Sequence, residues 1–200
     1  MPDGSFQFEA EGLIGPNAII QLAGPVDRAL GEGVMAQVLD LCQISMPCGD
    51  YMIPQEDVET VHHTLWQLFP SSARAISQEA GRATAHYIRA NRIPRFARIA
   101  LRLMPSVMAE KMLTKAIERH AWTFCGSGTL NTERDGHTAT FLIKSNPLAE
   151  GHAHQRHHCL WHEAVFAELF SSLLGHRYTC VETTCCAYHG DLCRFTVTRR

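Results

Sequence analysis

The residues best suited to chemistry lie in the last quarter of the chain: Cys159, Glu182, Cys185 and Cys193, three thiols and one carboxylate. Each has a local reason to point at a common centre. Cys159 opens a helix, where the terminal dipole and free N–H groups favour a thiolate. Strand alternation sets Tyr178, Cys180 and Glu182 on one face, and Cys185 follows where the strand can turn back. Cys193 begins the returning strand and shares its face with Phe195 and Val197. Three thiolates and a carboxylate around Zn²⁺ leave a net negative charge and no open coordination position, so such a site holds structure and does not catalyse. Backbone N–H groups of the turn, with Arg177 or Arg194, are the expected counter-charges. Cys180 and Cys186 compete as ligands, as do His157, His158 and His162, and the histidine-rich stretch AEGHAHQRHH can hold metal by itself. Reduced cysteines also serve as small buried hydrophobes.

The rest of the chain must position that group. Two hundred residues with 46% hydrophobic content can bury one sizeable core. The expected organisation is one compact unit, with an arm and helices over 1–50 and a ligand-binding domain closed by the zinc clasp over 51–200. No run of eighteen apolar residues occurs, and MPDGSFQFEAEGLIGPN is acidic where a signal peptide is basic and then apolar, so the expectation is a cytoplasmic protein without a transmembrane segment. Eight cysteines without an export signal point to reduced thiols. A net charge of -2 gives no reason to expect nucleic-acid binding. Of the 18 basic residues only Lys111, Lys115 and Lys144 are not arginine, and Arg89, Arg92, Arg95, Arg98 and Arg102 crowd together. Such a cluster is a solvated helix face or a place to meet carboxylates.

In chain order, SFQFEAEGLIG reads as a short strand or arm. A helical segment after Pro16-Asn17 is divided at Gly24-Pro25, and its second helix presents Leu30, Val34, Val38 and Leu41. Met46 to Asp50 is a loop. Pro54 and the acids after it start a helix whose face is Val58, Val61, Leu65 and Leu68, with His62 and His63 beside it. An alanine-rich helix follows, carrying Ile76, Ala80, Ala83 and Tyr87 in one stripe. Pro94 breaks it, Arg95 to Leu103 continues to Pro105, and a further helix shows Val107, Met108, Met112, Leu113, Ala116 and Ile117. The period then becomes strand-like. One hairpin runs from Phe124 to Ile143 around Glu133-Arg134-Asp135-Gly136, a helix spans Cys159 to Leu174, and a second hairpin closes around Tyr188-His189-Gly190-Asp191. The fold class is α+β, helices against a small antiparallel sheet.

Cys159, Glu182, Cys185-Cys186-Ala187, Gly190 and Cys193-Arg194-Phe195 together resemble the 4-vinyl reductase domain family. In its zinc-containing members, including sensor domains of phenol-responsive regulators, the matching Cys, Glu, Cys and Cys bind zinc. FQFEAEGLIGPNAIIQL and the overall length further resemble the J-protein family of bacteriochlorophyll biosynthesis, the bacteriochlorophyll 4-vinyl reductases of purple phototrophs. The resemblance implies the fold of haem-based nitric-oxide sensors and TRAPP subunits, a ligand cavity, and a homodimer formed through the N-terminal part.

It also implies reduction of a vinyl group on a chlorophyll precursor such as divinyl protochlorophyllide. That reaction needs a hydride or electron donor. Gly126-Ser127-Gly128 lacks the βαβ unit of a phosphate loop, and Cys42, Cys48, Cys125, Cys180 and Cys186 lack cluster spacing, so no redox cofactor is expected. The first reading is a photosynthesis accessory protein that binds a Mg-porphyrin or protochlorophyllide intermediate and presents it to bacteriochlorophyll-pathway enzymes. The alternatives are a vinyl reductase with an external donor and a small-ligand sensor domain. For the tetrapyrrole, Ala83 with its stripe and Tyr87 offer an apolar wall, Arg89, Arg92 or Arg95 a partner for a propionate, and His86, with His62 and His63 as rivals, an axial ligand to magnesium.

Overall fold

The computed structural model describes residues 12–149, 159–188 and 190–200. The expected arm around Phe6 and Phe8 and the histidines His157, His158 and His189 lie outside these. Strand β1 (Leu13–Ile14) pairs antiparallel with β2 (Ile53–Pro54) and is followed by helices α1 (Asn17–Ile20), α2 (Ala23–Leu30) and α3 (Val34–Cys42). Then come α4 (Gln55–Leu68), α5 (Pro70–Asn91), α6 (Arg95–Leu103) and α7 (Ser106–Arg119). Strands β3 (Thr129–Asp135) and β4 (Thr138–Lys144) precede α8 (Leu160–Leu174), and β5 (Tyr178–Thr184) and β6 (Leu192–Arg199) end the fold. The sheet is antiparallel in the order β3-β4-β6-β5.

Helix α8 is the hub. Its residues are apolar around most of the circumference, which a helix tolerates only when it is buried. It packs along α5 and lies on the sheet, where Phe141 stacks on Phe166 at 4.4 Å and Phe166 meets Phe195 edge to face at 5.6 Å. The seam with α5 runs through Ala73, Ile76, Ser77, Ala80, Gly81, Thr84 and Ala85. A Cβ on Gly81 would sit 2.4 Å from the Trp161 carbonyl oxygen, so the backbones touch there.

Several expectations shift. Gly24-Pro25 does not divide two helices: Pro25 lies in the first turn of α2, where its missing N–H has no intrahelical partner to lose. The division falls at Gly31 and Gly33, with φ of +117° and +82°. Leu41 and Leu68 end their helices in solvent, and Met35 and Leu39 take the core places beside Val38. The first hairpin turns at Gly136-His137, with Asp135 facing Thr138, and its first strand starts only at Thr129. Gly126-Ser127-Gly128 is a close backbone crossing whose Ser127 N–H donates to Gln55 Oε1 at 2.8 Å. On α7, Ala109, Leu113 and Ile117 face the core while Val107, Met108 and Met112 are exposed. No described helix is long and apolar enough to cross a membrane.

Candidate metal centre

Cys159 forms the N-cap of α8, Glu182 lies near the end of β5, Cys185 just beyond it, and Cys193 on β6. A register shift between Glu182 and Thr184 decides the inward direction. Plain alternation from Glu182 would turn Cys185 away, but the extra residue of a bulge restores it to the inner face. The chain then reverses tightly, the Tyr188 N–H donating to the Cys185 carbonyl at 3.0 Å. Gly190 crosses so close that a Cβ there would lie 2.7 Å from Thr184 and 2.8 Å from the Cys185 carbonyl oxygen.

These devices bring one ligand atom from each of the four buried side chains within 4.8 Å of one another. The sulfurs stand 3.6 Å (Cys159–Cys193), 3.9 Å (Cys185–Cys193) and 4.0 Å (Cys159–Cys185) apart. That is far beyond the ~2.05 Å of a disulfide. It is close to the ~3.8 Å edge of a tetrahedron with Zn–S bonds of about 2.3 Å. Neither carboxylate oxygen of Glu182 has a hydrogen-bond partner of ordinary geometry among the described residues. Burial, with the Cys185 thiolate beside it, pushes that carboxyl up to about 8. Burial raises the Cys159 thiol, and the neighbouring thiols raise Cys193, while hydrogen bonds from Cys159 and Cys193 hold Cys185 as the thiolate. Without a cation the pocket thus supports little negative charge, and a divalent ion would neutralise all four groups together. The donor set fits a metal.

Outer contacts come from unexpected places. Asn146, fully buried, donates through Nδ2 to the Cys159 sulfur at 3.3 Å and fixes its own Oδ1 on the Leu148 N–H. The Cys186 N–H reaches the Cys193 sulfur at 3.5 Å. Arg194, expected as a counter-charge, alternates to the other face and pairs with Glu133 at 3.1 Å. Cys180 and Cys186 stay outside the group of four, and His162 packs among aromatic rings, 5.0 Å from Trp161 and 5.6 Å from Phe195.

The tetrapyrrole candidates are not gathered in one concavity. Arg89 and Arg95 line an open cavity of about 200 Å³ with Arg98, Ile99, Arg102 and Ser172, at the junction of α5, α6 and α8. Arg92 is exposed outside it. His86, one turn before Arg89, stands 3.4 Å from Glu168. Ala83 and Tyr87 are half-buried on a flank roughly 120–160° around α5 from Arg89. Of the rivals, His62 is buried with Nε2–H donating to the Ala18 carbonyl at 3.0 Å, and His63 bonds to Gln67 at 2.9 Å.

A second polar centre has no signal in the spacing. Glu110, 1% exposed on α7, accepts from Tyr178 at 2.7 Å, His137 at 3.0 Å and Arg134 at 3.2 Å. Burial alone would raise its carboxyl, but these donors outweigh it and hold the group below its usual range. It ties α7 to the sheet.

Comparison with known proteins gives two kinds of likeness. The 4-vinyl reductase domain family matches residues 140–199, which include all four metal-site residues. The chain is 38% identical over 183 residues to the "Bacteriochlorophyll synthase 23 kDa chain" of Cereibacter sphaeroides, covering 91% of this chain and 88% of that one. It is 38% identical over 188 residues to the protein of the same name in Rhodobacter capsulatus, covering 94% and 87%. Among solved structures, the unliganded Fe(II) H-NOX protein from K. algicida superposes with TM-score 0.60 at 10% identity, over 94% of this chain and 97% of that one. Trafficking protein particle complex subunit 3 from Naegleria fowleri, covalently bound to palmitic acid, gives 0.55 at 12%, over 73% and 95%. At such identities the likeness is one of fold, and it matches the α+β arrangement of helices on an antiparallel sheet.

Proposed function

The chain belongs to the family of the bacteriochlorophyll synthase 23 kDa chains, and from that premise we propose that it serves bacteriochlorophyll synthesis by binding a Mg-porphyrin or protochlorophyllide intermediate and presenting it to pathway enzymes. The kinship along nearly the whole chain carries this reading. Cys159, Glu182, Cys185 and Cys193 hold a structural Zn²⁺ that clasps the closing hairpin to the start of α8. Because all four are buried and used, pigment recognition falls to the helical side. There the arginine cavity takes a pigment carboxylate, to which guanidinium groups bind in two-pronged fashion. Its ~200 Å³ suits a side arm, since whole-ligand pockets run to about 300–1,000 Å³, so the macrocycle lies outside it against the neighbouring helix surface. His86, released from Glu168, reaches magnesium as the axial ligand. A homodimer through the N-terminal part is supported by the exposed Leu41, Met46 and Tyr51.

The test is a titration of purified protein with Mg-protoporphyrin monomethyl ester and with divinyl protochlorophyllide, following the Soret band, before and after adding NADPH or reduced ferredoxin. Saturable binding without conversion is expected. Conversion to the monovinyl product would make the protein a reductase, and no binding of either pigment would end the carrier reading. His86→Ala is expected to weaken the Mg-porphyrin far more than the metal-free porphyrin; equal losses would clear His86.

A further inference from the structure

Apolar side chains stand in solvent on two consecutive helices. On α6, Phe96, Ile99 and Leu103 recur at helical spacing and are exposed, Leu103 to 82%. Beyond Pro105, α7 adds Val107, Met108 and Met112, each near half exposed. Together they offer on the order of 600 Å² of apolar surface, at the upper end of the ~300–600 Å² found as the largest patch on ordinary monomers.

The charges around them have one sign. Between Arg89 and Ile117 every acid or base is basic except Glu110, which is buried and held by Tyr178, His137 and Arg134. Arg95, Arg98 and Arg102 recur at spacings of three and four along the flank beside the apolar row, while Leu101 turns into the core. Among the described residues no carboxylate lies within ion-pair distance of these arginines. Lys111 and Lys115 continue the basic character along the exposed side of α7.

A helix with bulky apolar residues on one arc and arginines on the next suits the interface of a bilayer, where the apolar side sinks ~5–10 Å and the guanidinium groups stay with the phosphates. A symmetric contact with a second copy would set this face against itself, arginine against arginine. Anionic lipid satisfies both rows. We propose that the α6–α7 face is a membrane-surface anchor that seats the protein on anionic lipid.

The experiment is flotation of the purified full chain with vesicles of phosphatidylcholine alone and of phosphatidylcholine with phosphatidylglycerol, neither carrying pigment. Binding to the anionic vesicles is expected to exceed binding to the neutral ones by ~10-fold or more and to fall with added salt. The double variant F96S/L103S is expected to lose binding by ~10-fold or more, with its thermal midpoint and metal content unchanged because both side chains lie outside the core. Failure of the wild type to float with anionic vesicles would overturn the proposal, as would a double variant that floats as well as the wild type. Conversion of a dimer to a monomer by F96S/L103S, seen by light scattering, would also overturn it by giving the face to a second copy.

Discussion

A carboxylate shut away from water among sulfurs costs several kcal/mol unless a proton or a cation neutralises it. Glu182 is 2% exposed, has no ordinary hydrogen-bond donor among the described residues, and faces three thiols. Zinc resolves the conflict by holding all four groups ionised at once. Untagged protein is therefore expected to carry about one zinc per chain, and Cys185→Ser and Cys193→Ser to lose it with a large fall in thermal midpoint, since metal binding energy is folding energy at such sites. Full metal content in both variants would remove the zinc reading. Asn146 tests the same site from outside. Asn146→Ala deletes the hydrogen bond to the Cys159 sulfur and is expected to weaken zinc ~10–100-fold, measured by competition with a chelator.

At the scale of elements, the α5–α8 seam sets the distance between the helical half and the sheet. Replacing glycine by alanine inside a helix normally stabilises by about 1 kcal/mol. At Gly81 the sign is expected to reverse, to a loss of roughly 1–3 kcal/mol in denaturant melts, because the added methyl meets the Trp161 carbonyl and Ala164. A stabilised Gly81→Ala would show that the helices part easily. Glu110 pins α7 in a comparable way. Glu110→Gln keeps the shape but loses the charge that Tyr178, His137 and Arg134 all donate to, and an expected loss of ~1–3 kcal/mol in the same melts would confirm its weight. These elements differ in how far the sequence discloses them. The metal ligands were legible because they sit at fixed short offsets on a hairpin and a helix start. Helix faces were less so: periodicity finds an apolar stripe on α7, but only tertiary packing decides that Leu113 goes inward and Met112 outward. Asn146, Glu110 and the bulge before Cys185 depend on partners distant in sequence or on one extra residue, and local pattern carries neither.

Acid sensitivity belongs to the whole molecule, because its buried histidines join separate parts. His62 on α4 donates to the Ala18 carbonyl, and His162 lies at the centre of α8 among Trp161, Phe166 and Phe195. Burial lowers the first to about 4, and burial with the nearby His62 lowers the second to about 3. Unfolded, both titrate near ~6.5. Their contribution to stability is therefore complete above that value and falls as pH drops toward the folded values, because the unfolded chain takes up protons that the folded one refuses. The expected slope is up to ~1.4 kcal/mol per pH unit for each histidine. Urea midpoints compared across the range between the unfolded and folded values should show this in the wild type and a shallower slope in His62→Gln, which cannot titrate. Acid also protonates the zinc thiolates, so the comparison is made with zinc release followed in parallel. Equal slopes in the two proteins, with zinc leaving over the same range, would place the acid sensitivity at the clasp and not at the helix junction held by His62.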